Sequence, residues 1–131
     1  MRKQRKKKKR YHTGIHISSK ALSECKYRSS WELAYMLYLD SCSNVKQYHY
    51  EPFKLPYVSN DRTKKIRNYT PDILVTYEAG DQELIEIKPS KRLAQAMVKK
   101  KLEAARIWCL EHQVTLKVIT EIELKKLKLI K

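Results

Sequence analysis

An α/β fold, a mixed sheet flanked by helices, is what this sequence predicts, and three observations lead there. The stretch Tyr69–Pro89 holds two apolar runs, Ile73–Tyr77 and Leu84–Ile87, joined by a turn at Glu78–Asp81. Helical patterns lie on either side of it, over Ser30–Asp40 and from Ser90 to about His112. A β-rich run, Val114–Thr120, follows the second helix and reads as a further core strand beside the hairpin. The order is helix, three or four strands, helix, strand, helix.

At 131 residues the chain predicts one domain, residues 11–131, preceded by a basic tail over 1–10. Formal charge is +15, and eight basic residues lie in Arg2–Arg10, which leaves +7 for the rest. Both parts favour a polyanionic partner: DNA, RNA or acidic lipid would each satisfy the sign. The tail has no hydrophobic pattern and repels itself, so disorder is expected. No run approaches the ~20 apolar residues of a membrane span, and no apolar region follows the basic start, so neither a membrane segment nor a secretory signal is expected. Cys25, Cys42 and Cys109 form no C-x-x-C pair, which fits a reducing, intracellular setting.

Taken in order, Tyr11–Lys20 reads as extended chain with a turn at Gly14. His12 and His16 have zinc-like spacing only on a helix, which Gly14 opposes. Ser29 and Glu32 have the S-x-x-E spacing of a capping box opening the first helix, whose stripe is Trp31, Ala34, Tyr35 and Tyr38. Val45–Tyr50 and Phe53–Val58 read as strands, with Pro52 and Pro56 marking edge or bent positions. Ser59–Asn68 reads as a polar, basic loop that could grip phosphates or simply be solvated. Ser90 is the expected cap of the long helix, with Lys99, Lys100 and Lys101 on its outer side, and Ile122–Lys131 reads as a short basic helix.

The chemistry concentrates in the hairpin. No G-x-S-x-G, Walker loop or G-x-G-x-x-G is present, and with only two glycines a phosphate-cradling loop is implausible, so no organic cofactor is expected. Asp72 opens the first strand, and Glu86 and Lys88 share one face of the second. If paired residues have numbers with an even sum near 158–160, Asp72 joins that face. Ile73, Val75, Tyr77, Ile85 and Ile87 would then line the other face. Two carboxylates, the Ile87 carbonyl and water suit magnesium, which takes oxygen ligands at near-octahedral geometry. A cation offsets the charge that repels hydroxide from a phosphodiester, and Lys88 can orient or help deprotonate the attacking water. An edge salt bridge of Lys88 with Asp72 or Glu86 is the plainer alternative, as a helix cap is for Glu32.

Pro71-Asp72 followed by Glu86-Ile87-Lys88 resembles the signature of the PD-(D/E)XK nuclease superfamily. YRSSWELAYMLYLD, YEPFKLPY and RNYTPDILV are similar to small phage nucleases of the head-completion type, and to the endonuclease subunit of heteromeric cut-and-paste transposases. The resemblance covers roughly Tyr27–Thr120. It implies a restriction-endonuclease-like αβββαβ core and a magnesium- or manganese-dependent DNA endonuclease. Catalysis would fall to Glu32, Asp72, Glu86 and Lys88, with metal held by Glu32, Asp72, Glu86 and the Ile87 carbonyl. DNA phosphates would meet Arg5, Lys6, Lys7, Lys8, Lys9 and Arg10 of the tail, Arg62, Lys64, Lys65 and Arg67 of the loop, and Lys91 and Arg92. Gln47 and Glu51 are candidates for support of the site.

The Q-x-x-x-Y motif of the exonuclease branch is missing, because Lys99 follows Gln95 at that spacing, so endonucleolytic cutting is expected. The transposase subunit's second, DNA-binding domain has no counterpart in these residues, so action without a transposase is expected. Homing-type sequence-specific and junction-resolving cleavage both fit, and cutting opposite strands would call for a homodimer. A phage-encoded version would work in the host cytoplasm or with the virion. A non-catalytic nucleic-acid-binding module and a virion structural protein are the readings from other classes.

Overall fold

The structure, a computed structural model, describes residues 13–131. The expected basic tail, with Arg5, Lys6, Lys7, Lys8, Lys9 and Arg10, lies outside the described residues, as does His12. Three sheets and three helices make up the described chain. A small hairpin pairs β1 (Gly14–His16) with β2 (Cys25–Tyr27). Gly14 is thus a strand residue and not the expected turn, and a Cβ there would run into the Tyr27 ring.

Helix α1 (Ser30–Ser41) begins at Ser29, whose hydroxyl accepts the Glu32 N–H at 3.2 Å. Only this half of the expected capping box forms. The Glu32 carboxylate turns instead to the Arg28 N–H and the Tyr50 hydroxyl. Tyr35, Met36 and Leu39 are its buried stripe. Strand β3 (Val45–Tyr50) then pairs antiparallel with β6 (Ile73–Tyr77), β6 with β7 (Gln82–Ile87), and β7 runs parallel to β8 (Thr115–Ile119). This is the mixed sheet, in the order β3-β6-β7-β8.

The β6–β7 register matches Ile73 with Ile85, Leu74 with Leu84 and Val75 with Glu83, a sum of 158 as expected. Alternation therefore splits the core into two layers. On one face Ile73, Val75, Ile85, Ile87 and Ile119 meet α1 and Leu124 of α3 (Glu121–Lys126). On the other face Leu84, Leu74 and Leu116 meet Ala105 and Cys109 of α2 (Ala96–His112). Central strands covered on both sides explain why β6 and β7 read as nearly continuous apolar runs.

The stretch Ser59–Asn68 is not a loop. β4 (Leu55–Asn60) and β5 (Lys65–Tyr69) form a separate two-stranded ribbon, leaving residues 61–64 as its turn. The strand was masked in the sequence because Lys65–Asn68 are all exposed, so no alternation of polarity marks it.

Ser90 does not cap the long helix. Its N–H and hydroxyl both donate to the Glu121 carboxylate, and Ser90–Arg92 forms one tight turn before α2 starts at Ala96. Lys100 and Lys101 are likewise not on an outer face: Lys100 pairs with Asp61 at 2.8 Å, and Lys101 reaches the cleft described below. The final helix ends at Lys126, short of the expected Lys131. No helix among the described residues is long and apolar enough to cross a membrane.

Candidate active site

Where β6 and β7 part, a cleft of about 930 Å³ opens, and Asp72, Glu86, Ile87, Lys88 and Glu32 all line it. Continuing the register past Ile73–Ile85 sets Asp72 opposite Glu86. Pro71 removes a backbone donor just ahead of β6. The Asp72 carboxylate replaces the next backbone partner, its Oδ2 accepting the Ile87 N–H at 2.7 Å. A strand residue directs its N–H and C=O to the same side, so the Ile87 carbonyl also faces the Asp72 edge.

Glu86 is only 4% exposed. Its Oε1 accepts the Tyr69 hydroxyl at 2.5 Å, and its Oε2 lies 3.5 Å from Lys88 Nζ. Lys88 follows Glu86 by two residues and lies on the same strand face. The salt-bridge reading of Lys88 therefore coexists with placement at the site. Glu32 arrives from the opposite layer, around the end of the sheet, and its Oε1 accepts the Tyr50 hydroxyl at 2.7 Å.

The electrostatics follow from burial. Desolvation raises the Asp72 carboxyl well above the usual carboxylate range; Glu86 and Glu32 add to the rise, while the Ile87 N–H and Lys88 oppose it. Glu86 is raised by burial too, against the pull of Tyr69 and Lys88. Two facing carboxylates, Glu86 buried and Asp72 half-buried, cannot both ionise cheaply unless a cation joins them. Among the described residues no three His, Cys, Asp or Glu side chains converge as a metal cluster. Asp72, Glu86 and the Ile87 carbonyl could instead hold a hard cation such as magnesium, with water completing its shell.

Other expected residues divide. Lys91 and Arg92 line the cleft from the turn after β7. Lys65 and Arg67 lie on β5, with Arg62 and Lys64 in the ribbon's turn. Glu51 lines the cleft, pairs with Arg28 at 3.2 Å and donates its N–H to the Asp72 carbonyl at 2.7 Å. Gln47 is not at the site: it pairs with Thr76, toward the other end of β3.

Sequence reasoning missed Tyr69, Tyr50, Arg28 and Lys101. Tyr69 stands three residues before Asp72, but its hydroxyl meets a carboxylate seventeen residues away, which no local pattern announces. Lys101 needed the true start of α2 to be placed.

A family model for the TnsA-like endonuclease N-terminal domain matches residues 42–121. The match includes Asp72, Glu86 and Lys88 and stops short of Glu32. The head completion nuclease of Enterobacteria phage T4 is 37% identical over 65 residues, half of this chain and 43% of that protein. The chain thus matches less than half the length of this curated relative. With the hairpin register, the paired carboxylates and the sandwich around a mixed sheet, the chain belongs to the TnsA-like endonuclease N-terminal family, of the PD-(D/E)XK nuclease type.

Proposed function

We propose that the protein is a DNA endonuclease that hydrolyses phosphodiester bonds with a divalent cation, magnesium or manganese. The observation that carries this reading is the Asp72–Glu86 pair facing across the end of the hairpin, with Lys88 beside it. Asp72, Glu86 Oε2 and the Ile87 carbonyl would hold the cation, with Glu32 adding negative charge from the cleft wall. The cation would offset phosphate charge and make water more acidic.

The chain's own groups would do the rest. Lys88 Nζ, held near Glu86, orients the attacking water and donates to a phosphate oxygen as charge builds there. Lys91, Arg92 and Lys101 line the cleft and would bind the phosphates flanking the scissile one. Arg5–Arg10 would add affinity that falls steeply with salt.

The test is cleavage of supercoiled plasmid, a four-way junction and a flap, with magnesium, with manganese and with EDTA. Wild type should cut only with metal, and Asp72→Ala and Lys88→Ala should bind DNA without cutting it. The ratio of linear to nicked plasmid reports whether two copies act together. Residual nicking equal in mutants and wild type would overturn the assignment.

A further inference from the structure

The β4–β5 ribbon has a composition that folding does not account for. Its root is well anchored: Leu55, Tyr57 and Tyr69 enter the second core, and the Tyr57 hydroxyl donates to Met97 Sδ at 3.4 Å. Its turn is ordered too, because Asn60 Oδ1 accepts the N–H groups of Arg62 and Thr63 at 2.9 and 3.0 Å. Between root and turn, β5 is exposed on both faces and pairs only with β4. On the outward face the cross-strand pair Val58–Ile66 is bare, 37% and 57% exposed. Val58 borders the groove along α2, but Ile66 faces solvent, and an exposed isoleucine there costs solubility and adds nothing to the core.

The ribbon's own charge is basic. Arg62 and Lys64 lie in the turn beyond the pair, and Lys65 and Arg67 flank Ile66 along β5 on the alternate face. The acids lie toward α2, in the groove that Val58 borders: Asp61 is paired with Lys100 and Glu103 with Arg106, and Glu111 lies farther along the helix. Among the described residues none of the four cations has an ion-pair partner. The ribbon is also an extension of the catalytic cleft, because Asn68, Tyr69 and Thr70 line that cleft where β5 ends. From Tyr69 to Lys65 is four strand steps, roughly 14 Å, before the turn adds its own reach.

A two-stranded antiparallel ribbon fits the major groove of B-DNA, where apolar side chains meet thymine methyls and flanking cations meet phosphates. We propose that the β4–β5 ribbon enters the major groove of duplex DNA, with Val58 and Ile66 against base edges and the four cations on the groove walls. This rests on the nuclease reading and extends it. The ribbon sets the position of the cut, which falls about 3–4 base pairs from the Val58–Ile66 pair at about 3.4 Å per step.

The test uses the full chain in calcium or EDTA, so that binding is read without cutting. Arg62→Ala/Lys64→Ala/Arg67→Ala changes exposed positions only, and its circular dichroism and melting should match wild type. On a 30-base-pair duplex its log Kd against log salt slope should fall by about 2.7, at about 0.9 per lost phosphate contact. Ile66→Ser should keep the wild-type slope and lose the preference for thymine over uracil in the ribbon's footprint. That footprint, read by hydroxyl radicals, should lie to one side of the cleavage position.

Unchanged slope and footprint in the triple variant would overturn the ribbon, as would loss of binding to anionic vesicles or to a protein with DNA binding intact. Wild type that binds DNA with the expected slope but never cuts it would overturn the nuclease reading and leave the ribbon standing.

Discussion

Replacing Tyr69 by Phe isolates one hydroxyl. The ring, 5% exposed, stays packed in the second core with Leu55, Tyr57 and Leu84, so the fold is spared. What disappears is the 2.5 Å bond to Glu86 Oε1. A hydrogen bond to a charged acceptor contributes about 1.5–3 kcal/mol, and each 1.4 kcal/mol is about tenfold in an equilibrium constant. Tyr69 also holds the Glu86 carboxyl down against the rise imposed by burial. Without it, the carboxylate is costlier to ionise and freer to rotate, and both changes would weaken the proposed cation site.

Partners that orient a metal ligand typically carry 10- to 100-fold in metal affinity or activity, in line with the hydrogen-bond figure. The assay is plasmid nicking against magnesium concentration, beside calorimetric titration with manganese, which needs no turnover. Tyr69→Phe should raise the half-saturating magnesium and the manganese Kd by about 10- to 100-fold, with less change in rate at saturation. Equal titrations for variant and wild type, with the variant folded, would refute the argument that Tyr69 positions Glu86.

Three further outcomes follow from the same geometry. Asp72 and Glu86 both have raised native values, so their contribution to stability is fully present below the ordinary unfolded carboxyl pKa near ~4 and is lost as pH rises through the native values. Melting temperature in EDTA should fall as pH rises above the ordinary carboxyl range near ~4, magnesium should restore it, and Asp72→Asn should flatten the fall while abolishing cleavage. The half-buried acids Glu121 and Glu123 have lowered values, held down chiefly by hydrogen bonds from Ser90 and Thr120, and act in the opposite sense, in the acid range. A wild-type melting temperature that climbs steadily above the ordinary carboxyl range in EDTA would contradict this account.

Glu32→Gln keeps an acceptor for the Arg28 N–H and Tyr50 hydroxyl but removes the charge. Nicking at limiting magnesium should drop about tenfold with little change in melting, whereas unchanged nicking would leave Glu32 a structural residue. Thr120→Ala removes the cap of α3, whose hydroxyl accepts the Ile122 N–H at 3.1 Å, and should cost about 1 kcal/mol in denaturant unfolding. Because Glu121 of that helix holds Ser90, the same change should loosen the turn carrying Lys91 and Arg92, visible as faster amide exchange there.

What the sequence determined by itself is what short-range periodicity encodes. Apolar, β-rich runs marked β6, β7 and β8, and the turn between Tyr77 and Gln82 limited the β6–β7 register to an even sum of 158 or 160, so Asp72 fell on the face of Glu86 and Lys88; the structure selected 158 and set it opposite Glu86. Alternation alone then assigned Lys88 to the Glu86 face. Resemblance supplied Glu32, since helix position and capping spacing alone make it a cap.

The tertiary structure decided everything that depends on distant partners. Lys65–Asn68 reads as loop because neither face of β5 is covered, and its strand exists only through pairing with β4. Ser90 has the chemistry of a helix cap, but Glu121, thirty-one residues on, takes its hydroxyl and N–H, and α2 starts six residues later. Tyr69 and Tyr50 look like ordinary core aromatics until the fold brings their hydroxyls to Glu86 and Glu32. Hydrogen bonds across long sequence separations are directional and leave no periodic trace, so the pair at the heart of the site could be read in the sequence and the groups that hold it in place could not.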